Sequence, residues 1–356
     1  MHRLGSPTFV LRTVAASVMV CALTLGGVVA VQGQSQPVVT HVAIPPDAGQ
    51  SLSSDGADID QWDHRLYVTD RTFGNGGISV FDVSTPNAVY LGMIPLPQRS
   101  SGLVVGTNVR KVFVGMADST IGVIDIDTAS PSYNLLIEKI STHGDGRVDL
   151  VGYDPDHKQV WGANNGEGFI SVADAVTYQL IRSYPDLGDN LEQPVYNAAD
   201  GMMYFDVSAR NELLQFDPNT HELVRKIDIG DKCNPNGFAI NPTTNQALLG
   251  CSTRGDRPHT AVWDFNTQKV VQTIEGVGYG DLVVYDSVAD RYFFGATTAA
   301  DGTKSMAIFS GGPNVQLLGT VPAGGNAPMY DETNNMVYNQ DTLPGEASLY
   351  AFPLPW

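Results

Sequence analysis

The sequence predicts an all-β fold, a seven-bladed β-propeller with four antiparallel strands per blade, and three observations carry that prediction. A pattern of roughly 45 residues recurs seven times, each period divides into four strand-like segments, and the two ends of the chain are complementary. The pattern is clearest in Pro235-Asn236-Gly237-Phe238-Ala239-Ile240-Asn241-Pro242 followed by Gln246-Ala247-Leu248-Leu249-Gly250. An apolar strand, an Asn/Pro/Thr turn and a second apolar strand make a β-hairpin by run length and turn chemistry. With Asn236 as position zero, a turn-former stands at position five (Asn241) and an apolar pair at eleven and twelve (Ala247, Leu248). The same spacing starts again at Asp55, Ser101, Asp149, Glu192, Asp281 and Asn326.

Taken from its start, the chain opens with His2, Arg3 and Arg12, then an uncharged apolar run from Thr13 to Val31 with small residues at Ala30 and Gly33. Residues 1–33 therefore read as a secretory signal peptide, and an extracytoplasmic location (periplasmic or secreted) is expected. The run also has the length of a retained anchor, since roughly 18–20 apolar residues span a bilayer. Cys21 follows Val20 rather than the small residue that a lipoprotein site needs. Beyond the leader no apolar run is long enough to span a membrane, so no membrane span is expected after cleavage.

The whole chain carries a formal charge of −18, and the leader removes two arginines and no acid. Such a surface repels nucleic acid and anionic membranes and favours cations or basic partners. Two cysteines lie beyond the leader, Cys233 and Cys251, on either side of one predicted strand and turn. A hairpin would bring them together, as a disulfide in an oxidising compartment or as two buried thiols.

Within the first period the four segments are about 55–60, then Arg65 to Asp70, Gly77 to Asp82 and Ala88 to Ile94, here lettered A to D. The third segment usually ends in Asp-x-x-Thr, as at Asp82/Thr85, Asp125/Thr128, Asp174/Thr177, Asp217/Thr220 and Asp264/Thr267. Asp and Thr cap tight turns, so these are read as structural. Trp161 and Trp263, in B and C segments, are read as core between blades. Helical periodicity and internal linkers are absent, which makes residues 37–356 one domain. The seventh period has A (327–331), B (336–340) and C (347–352) but no D, whereas residues 38–45 form an unpaired D-like strand at the other end. That strand is expected to complete the last blade and leave no open edge. A monomer is the expected state.

Tyr67-Val68-Thr69-Asp70, Ile78-Ser79-Val80-Phe81-Asp82 and Pro235-Asn236-Gly237-Phe238-Ala239 resemble the YVTN-type β-propeller repeat. That resemblance implies a seven-bladed extracytoplasmic protein, of a family made mostly of binding or surface proteins. The Pro-Asn-Gly stretch also looks like one in gluconolactonase-type metal-dependent hydrolases. There, an Asn at the position of Asn236 and an Asp at that of Asp281 hold a divalent cation in the channel.

In a propeller the D–A connections lie on the top face, so position zero of every repeat falls at the mouth of the channel. Its occupants, Asp55, Ser101, Asp149, Glu192, Asn236, Asp281 and Asn326, offer oxygen ligands of the kind that hard cations take, calcium first. The other reading is that they cap strand ends or solvate the channel. Of the histidines, His64, His157 and His221 fall in bottom-face turns and His41 on the closing strand, which leaves His143 and His259 on top. His143 leads through Gly144-Asp145-Gly146-Arg147 into Asp149 and is the general-base candidate by position. Arg99, Arg147, Arg254 and Arg257 lie in top loops and would orient an anion or pair with the acids. The tripeptide Arg254-Gly255-Asp256 is read as chance.

Two functions follow. The first is an exported scaffold that binds a protein or small-molecule partner through its top face and acidic channel mouth. The second is a metal-dependent, lactonase-like hydrolase with Asp149, Glu192, Asn236 and Asp281 as ligands and His143 or a spare carboxylate as base.

Overall fold

Twenty-eight short strands, apolar where blades face one another and polar at the turns, build a ring of seven four-stranded antiparallel sheets. The structure is a computed structural model that describes residues 36–356 apart from 73, 75, 253–256, 299–301, 303 and 346. The expected signal peptide, Arg254 and the Arg254-Gly255-Asp256 tripeptide lie outside the described residues. Ser35–Trp356 form one compact unit. Among the described residues no helix is long and apolar enough to cross a membrane.

The chain enters as β1 (Thr40–Ala43). Blade 1 follows as β2 (Ala57–Asp60), β3 (Arg65–Asp70), β4 (Gly77–Asp82) and β5 (Val89–Pro95). Blade 2 is β6 (Ser100–Gly106), β7 (Lys111–Met116), β8 (Thr120–Asp125) and β9 (Leu136–Ser141). Blade 3 is β10 (Val151–Asp154), β11 (Gln159–Asn164), β12 (Phe169–Asp174) and β13 (Leu180–Tyr184). Blade 4 is β14 (Leu191–Asn197), β15 (Met202–Val207), β16 (Glu212–Asp217) and β17 (Glu222–Asp228). Blade 5 is β18 (Pro235–Asn241), β19 (Gln246–Cys251), β20 (His259–Asp264) and β21 (Lys269–Glu275). Blade 6 is β22 (Val283–Asp286), β23 (Arg291–Thr298), β24 (Lys304–Ser310) and β25 (Leu317–Val321). Blade 7 is β26 (Met329–Asp331), β27 (Met336–Asp341) and β28 (Ser348–Pro353), and β1 supplies its fourth strand.

Burial follows the expected order of strands. The second strand of each blade is packed on both faces, as in β11, where every residue is buried, and it reads as a continuous apolar run for that reason. The fourth strands alternate, as in β5 and β17, with one face turned to solvent. The core lies between blades rather than within them. Tyr67, Ile78 and Val80 of blade 1 meet Val112, Val114 and Ile124 of blade 2, and Trp161 of blade 3 meets Phe205 and Phe216 of blade 4. Trp263 belongs to the core between blades 4 and 5.

The turn residue at position five has a definite task. In six blades its side-chain Oδ1 accepts the backbone N–H two residues on, at 2.9–3.1 Å: Asp60, Asp154, Asn197, Asn241, Asp286 and Asp331. Four residues later the backbone turns left-handed in every blade, at His64, Arg110, Lys158, Gly201, Asn245, Asp290 and Asn335. The Asp residues that open the third-to-fourth strand turns act alike, Asp82, Asp125, Asp174, Asp217 and Asp264 accepting at 2.8–3.1 Å. These side chains serve the turns.

β1 closes the ring. Thr40 pairs with Ala351 and Ala43 with Ser348, and the Ile44 N–H donates to the Ala347 carbonyl at 2.8 Å. His41 Nδ1 sits 3.0 Å from Asp341 Oδ2. In blade 5 a disulfide joins Cys233, just before β18, to Cys251 at the end of β19. In a chain-entropy picture a loop this short contributes roughly 3 kcal/mol.

Candidate functional site

The inner strands bring five of the position-zero residues to one cavity at the mouth of the channel. Asp55, Asp149, Glu192, Asn236 and Asp281, with Arg147 beside them, line a space of about 260 Å³. Ser101 is buried and Asn326 stands next to Asp55, its Nδ2 3.5 Å from Oδ1; neither lines the cavity. Below the mouth Leu150, Leu282 and Ala327 pack with Ala57 as an apolar collar. Gln193 locks three inner strands together, its Nε2 donating to the Val283 carbonyl at 2.8 Å while Oε1 accepts from Phe238 N and Val283 N at 3.2 Å each. At Gly237 (φ +113°) an added Cβ would stand 2.4 Å from the Asp281 carbonyl. Only glycine lets β18 approach that closely, and the approach places Asn236 Nδ2 3.3 Å from Asp281 Oδ1.

The mouth is electrostatically lopsided. On one side Arg71 Nη1 donates to Asp55 Oδ2 at 2.7 Å, and Arg147 Nη2 donates to Asp149 Oδ2 at 2.7 Å. Burial still lifts Asp149 to about 6 against the pull of Arg147. On the other side stand Glu192, Asp206 and Asp281, and among the described residues no Lys or Arg reaches ion-pair distance of any of them. Burial, then the charges of Asp206, Asp149 and Asp281, push Glu192 up to about 9. Asp281 rises to about 7 through burial and the neighbouring Asp55 and Asp149. Asp206 also reaches about 7 through burial, although Gly237 N donates to its Oδ2 at 2.8 Å. The backbone N–H groups of Asp206 itself and of Gln193 pull it down as well, but less than burial raises it. Asn165 Nδ2 donates to Glu192 Oε1 at 3.0 Å, a neutral donor that pulls the group down only slightly.

Asp206 and Arg71 act on the mouth acids and are residues that the repeat pattern did not select. Asp206 lies on a second strand, where the corresponding positions of the other blades hold Thr69, Gly115, Ala163, Gly250, Gly295 and Gln340. An acid at an otherwise small or neutral inner position was the available signal. His143, the general-base candidate, is exposed in a left-handed turn, its Nδ1 3.3 Å from Ser141 Oγ, and does not line the cavity. Arg257 pairs with Glu275 away from the mouth. Among the described residues the mouth acids do not bring three carboxylate oxygens within 4.8 Å of one another. A cation there would draw its ligands in.

The ring of seven blades and the channel through it define the chain as a seven-bladed β-propeller. No protein-family model and no curated protein sequence matches it. In structure, 1749 solved chains match it, so likeness of architecture alone selects no function. One of these is a chain of the crystal structure of the mitotic checkpoint complex. It is 12% identical over 97% of this chain and 99% of that one, with a TM-score of 0.69. At that identity the likeness is one of fold.

Proposed function

We propose that this chain is an exported YVTN-type propeller that binds a cationic ligand, a divalent ion or the basic group of a partner, in its acidic channel mouth. The observation that carries the reading is the half of the mouth lined by Glu192 and Asp281, with the buried Asp206 acting on Glu192 from outside the cavity lining. Glu192 and Asp281 are half-buried carboxyls raised by desolvation and by neighbouring acids, and among the described residues no Lys or Arg comes within ion-pair distance of either, Lys304 and Arg71 acting on Asp281 only from further off. Buried acids held above their ordinary range are stabilised by any cation that enters, which then releases their protons. The repeat motif at Tyr67-Val68-Thr69-Asp70 and the Cys233–Cys251 bridge support export of a propeller of this type. His143 does not line the mouth, which leaves a carboxylate there as the base that a metal-assisted hydrolase would use; binding, which needs no base, is the reading proposed first.

Isothermal titration at pH 7 in buffers of different ionisation enthalpy tests this, with Ca²⁺ in one arm and an alkylguanidinium in the other. Saturable binding with proton release is expected in one arm, weakened at least roughly tenfold, about 1.4 kcal/mol, in Glu192→Gln and in Asp281→Asn. If neither cation binds, or both variants bind as tightly as the parent, the mouth is not a cation site.

A further inference from the structure

Blade 5 holds a second cluster, apart from the mouth carboxyls. Cys233, Cys251 and His259 place one ligand atom each within 4.8 Å of the others, and all three residues are buried, His259 with 1% of its surface exposed. Among the described residues this is the group of three His, Cys or acidic side chains that meet so closely. The hairpin accounts for it. Cys251 ends β19, His259 opens β20 beside it, and Cys233 reaches Cys251 from the start of β18.

The imidazole is set up as a ligand. His259 Nδ1 lies 2.9 Å from the Arg257 carbonyl, which can only accept, so Nδ1 carries the proton and Nε2 keeps its lone pair. Nε2 is buried with no hydrogen bond, and Asp231 Oδ2 stands 3.6 Å from it. A buried nitrogen left in this way calls for an explanation. A cavity of about 230 Å³ lined by Asp231, Arg257 and His259 gives access from outside.

We propose that Cys233, Cys251 and His259 form a redox-gated site for Zn²⁺, shut while the disulfide is intact and opened by its reduction. Sulfurs bonded to one another are not metal ligands; thiolates are. A dithiol supplies two electrons and two protons to the S–S bond, leaving two cysteine thiols and becoming a disulfide itself. Zn²⁺ then displaces the two thiol protons and binds both thiolates and Nε2, with Asp231 or water in the fourth position. Two sulfurs and an imidazole suit a borderline-soft cation and not Ca²⁺, which takes oxygen ligands. The Nδ1–H bond to a carbonyl is the outer contact that orients a metal-bound histidine.

Co²⁺ is the probe, added to the chain before and after treatment with a phosphine reductant. The reduced chain should show the visible bands of tetrahedral, thiolate-bound Co²⁺ at one equivalent, bleached by Zn²⁺, and the oxidised chain should show none. Cys251→Ser should lose the bands, and reduced His259→Ala should bind at least roughly tenfold more weakly with altered bands. Circular dichroism follows the fold throughout. A folded, reduced chain without these bands, or bands that persist in Cys251→Ser or are unchanged in His259→Ala, overturns the proposal. So does a chain that unfolds on reduction and does not regain its structure with Zn²⁺. Because the two sites share no residue, this result leaves the reading of the mouth untouched.

Discussion

Glu192 shows how much one side chain's surroundings can matter. As a residue type it was visible as one more acid in a ring of seven polar positions. Burial first, and then its neighbours Asp206, Asp149 and Asp281, brought from three other strands or loops, lift it to about 9. Together with Asp206 and Asp281, near 7, it takes up protons on folding between the ordinary carboxylate range and pH 9. Stability contributed in this way is present at low pH and is lost as pH rises through 7 to 9. The melting temperature of the metal-free chain should therefore fall as pH rises from 5 to 9. Glu192→Gln should flatten that slope and stabilise the chain at pH 8 by at least about 1 kcal/mol. Thermal unfolding across that range decides it, and an unchanged slope in the variant would show that the group is not held as described.

The hairpin of first and second strands is the element that the sequence described best. Its turn-former at position five, the apolar pair at eleven and twelve and the ends of β3 and β4 all follow from local chemistry. The left-handed residue at position nine was legible only in part: Gly201, Asn245, Asn335, Asp290 and His64 are types that visit such a backbone, whereas Arg110 and Lys158 are not. They tolerate it because the flanking strands are pinned from both sides. Gly201 holds that position in blade 4 (φ +71°), and the nearest atom to an added Cβ would be Tyr196 Oη at 3.9 Å. Space is thus available, and the cost of a side chain there is conformational. Gly201→Val should lose about 1–2 kcal/mol, whereas Gly201→Asn should stay close to the parent. Equal losses in chemical denaturation for the two variants would refute that account.

At the scale of the whole molecule, closure depends on four residues from the beginning of the chain. β1 covers β28 with a regular antiparallel register, and Val42, Ile44 and Leu52 join the core between blades 7 and 1. A chain lacking residues 36–44 exposes the edge of β28 and opens that interface. It should melt at least roughly 5 °C lower, with a broader transition or aggregation. Differential scanning calorimetry of the two lengths tests this, and an unchanged melting temperature would mean that the ring is held by the other six interfaces alone.

Local chemistry and periodicity were enough to determine the number of blades, the four strands in each, the strand that closes the ring and the face on which the position-zero residues emerge. Those features repeat, and repetition turns weak local signals into a firm one. The site was legible only in part. Asp55, Asp149, Glu192, Asn236 and Asp281 do share one cavity, but the tertiary structure alone decided that Arg71 and Arg147 neutralise one half of it. It alone brought Asp206 within electrostatic reach of Glu192 and set His143 aside. The sequence brought Cys233 to Cys251, but that His259 joins them, with its Nε2 bare, was invisible in it. Charge compensation depends on distances of a few ångströms between residues far apart in the chain, and burial changes what each charge costs. Neither quantity is carried by residue order.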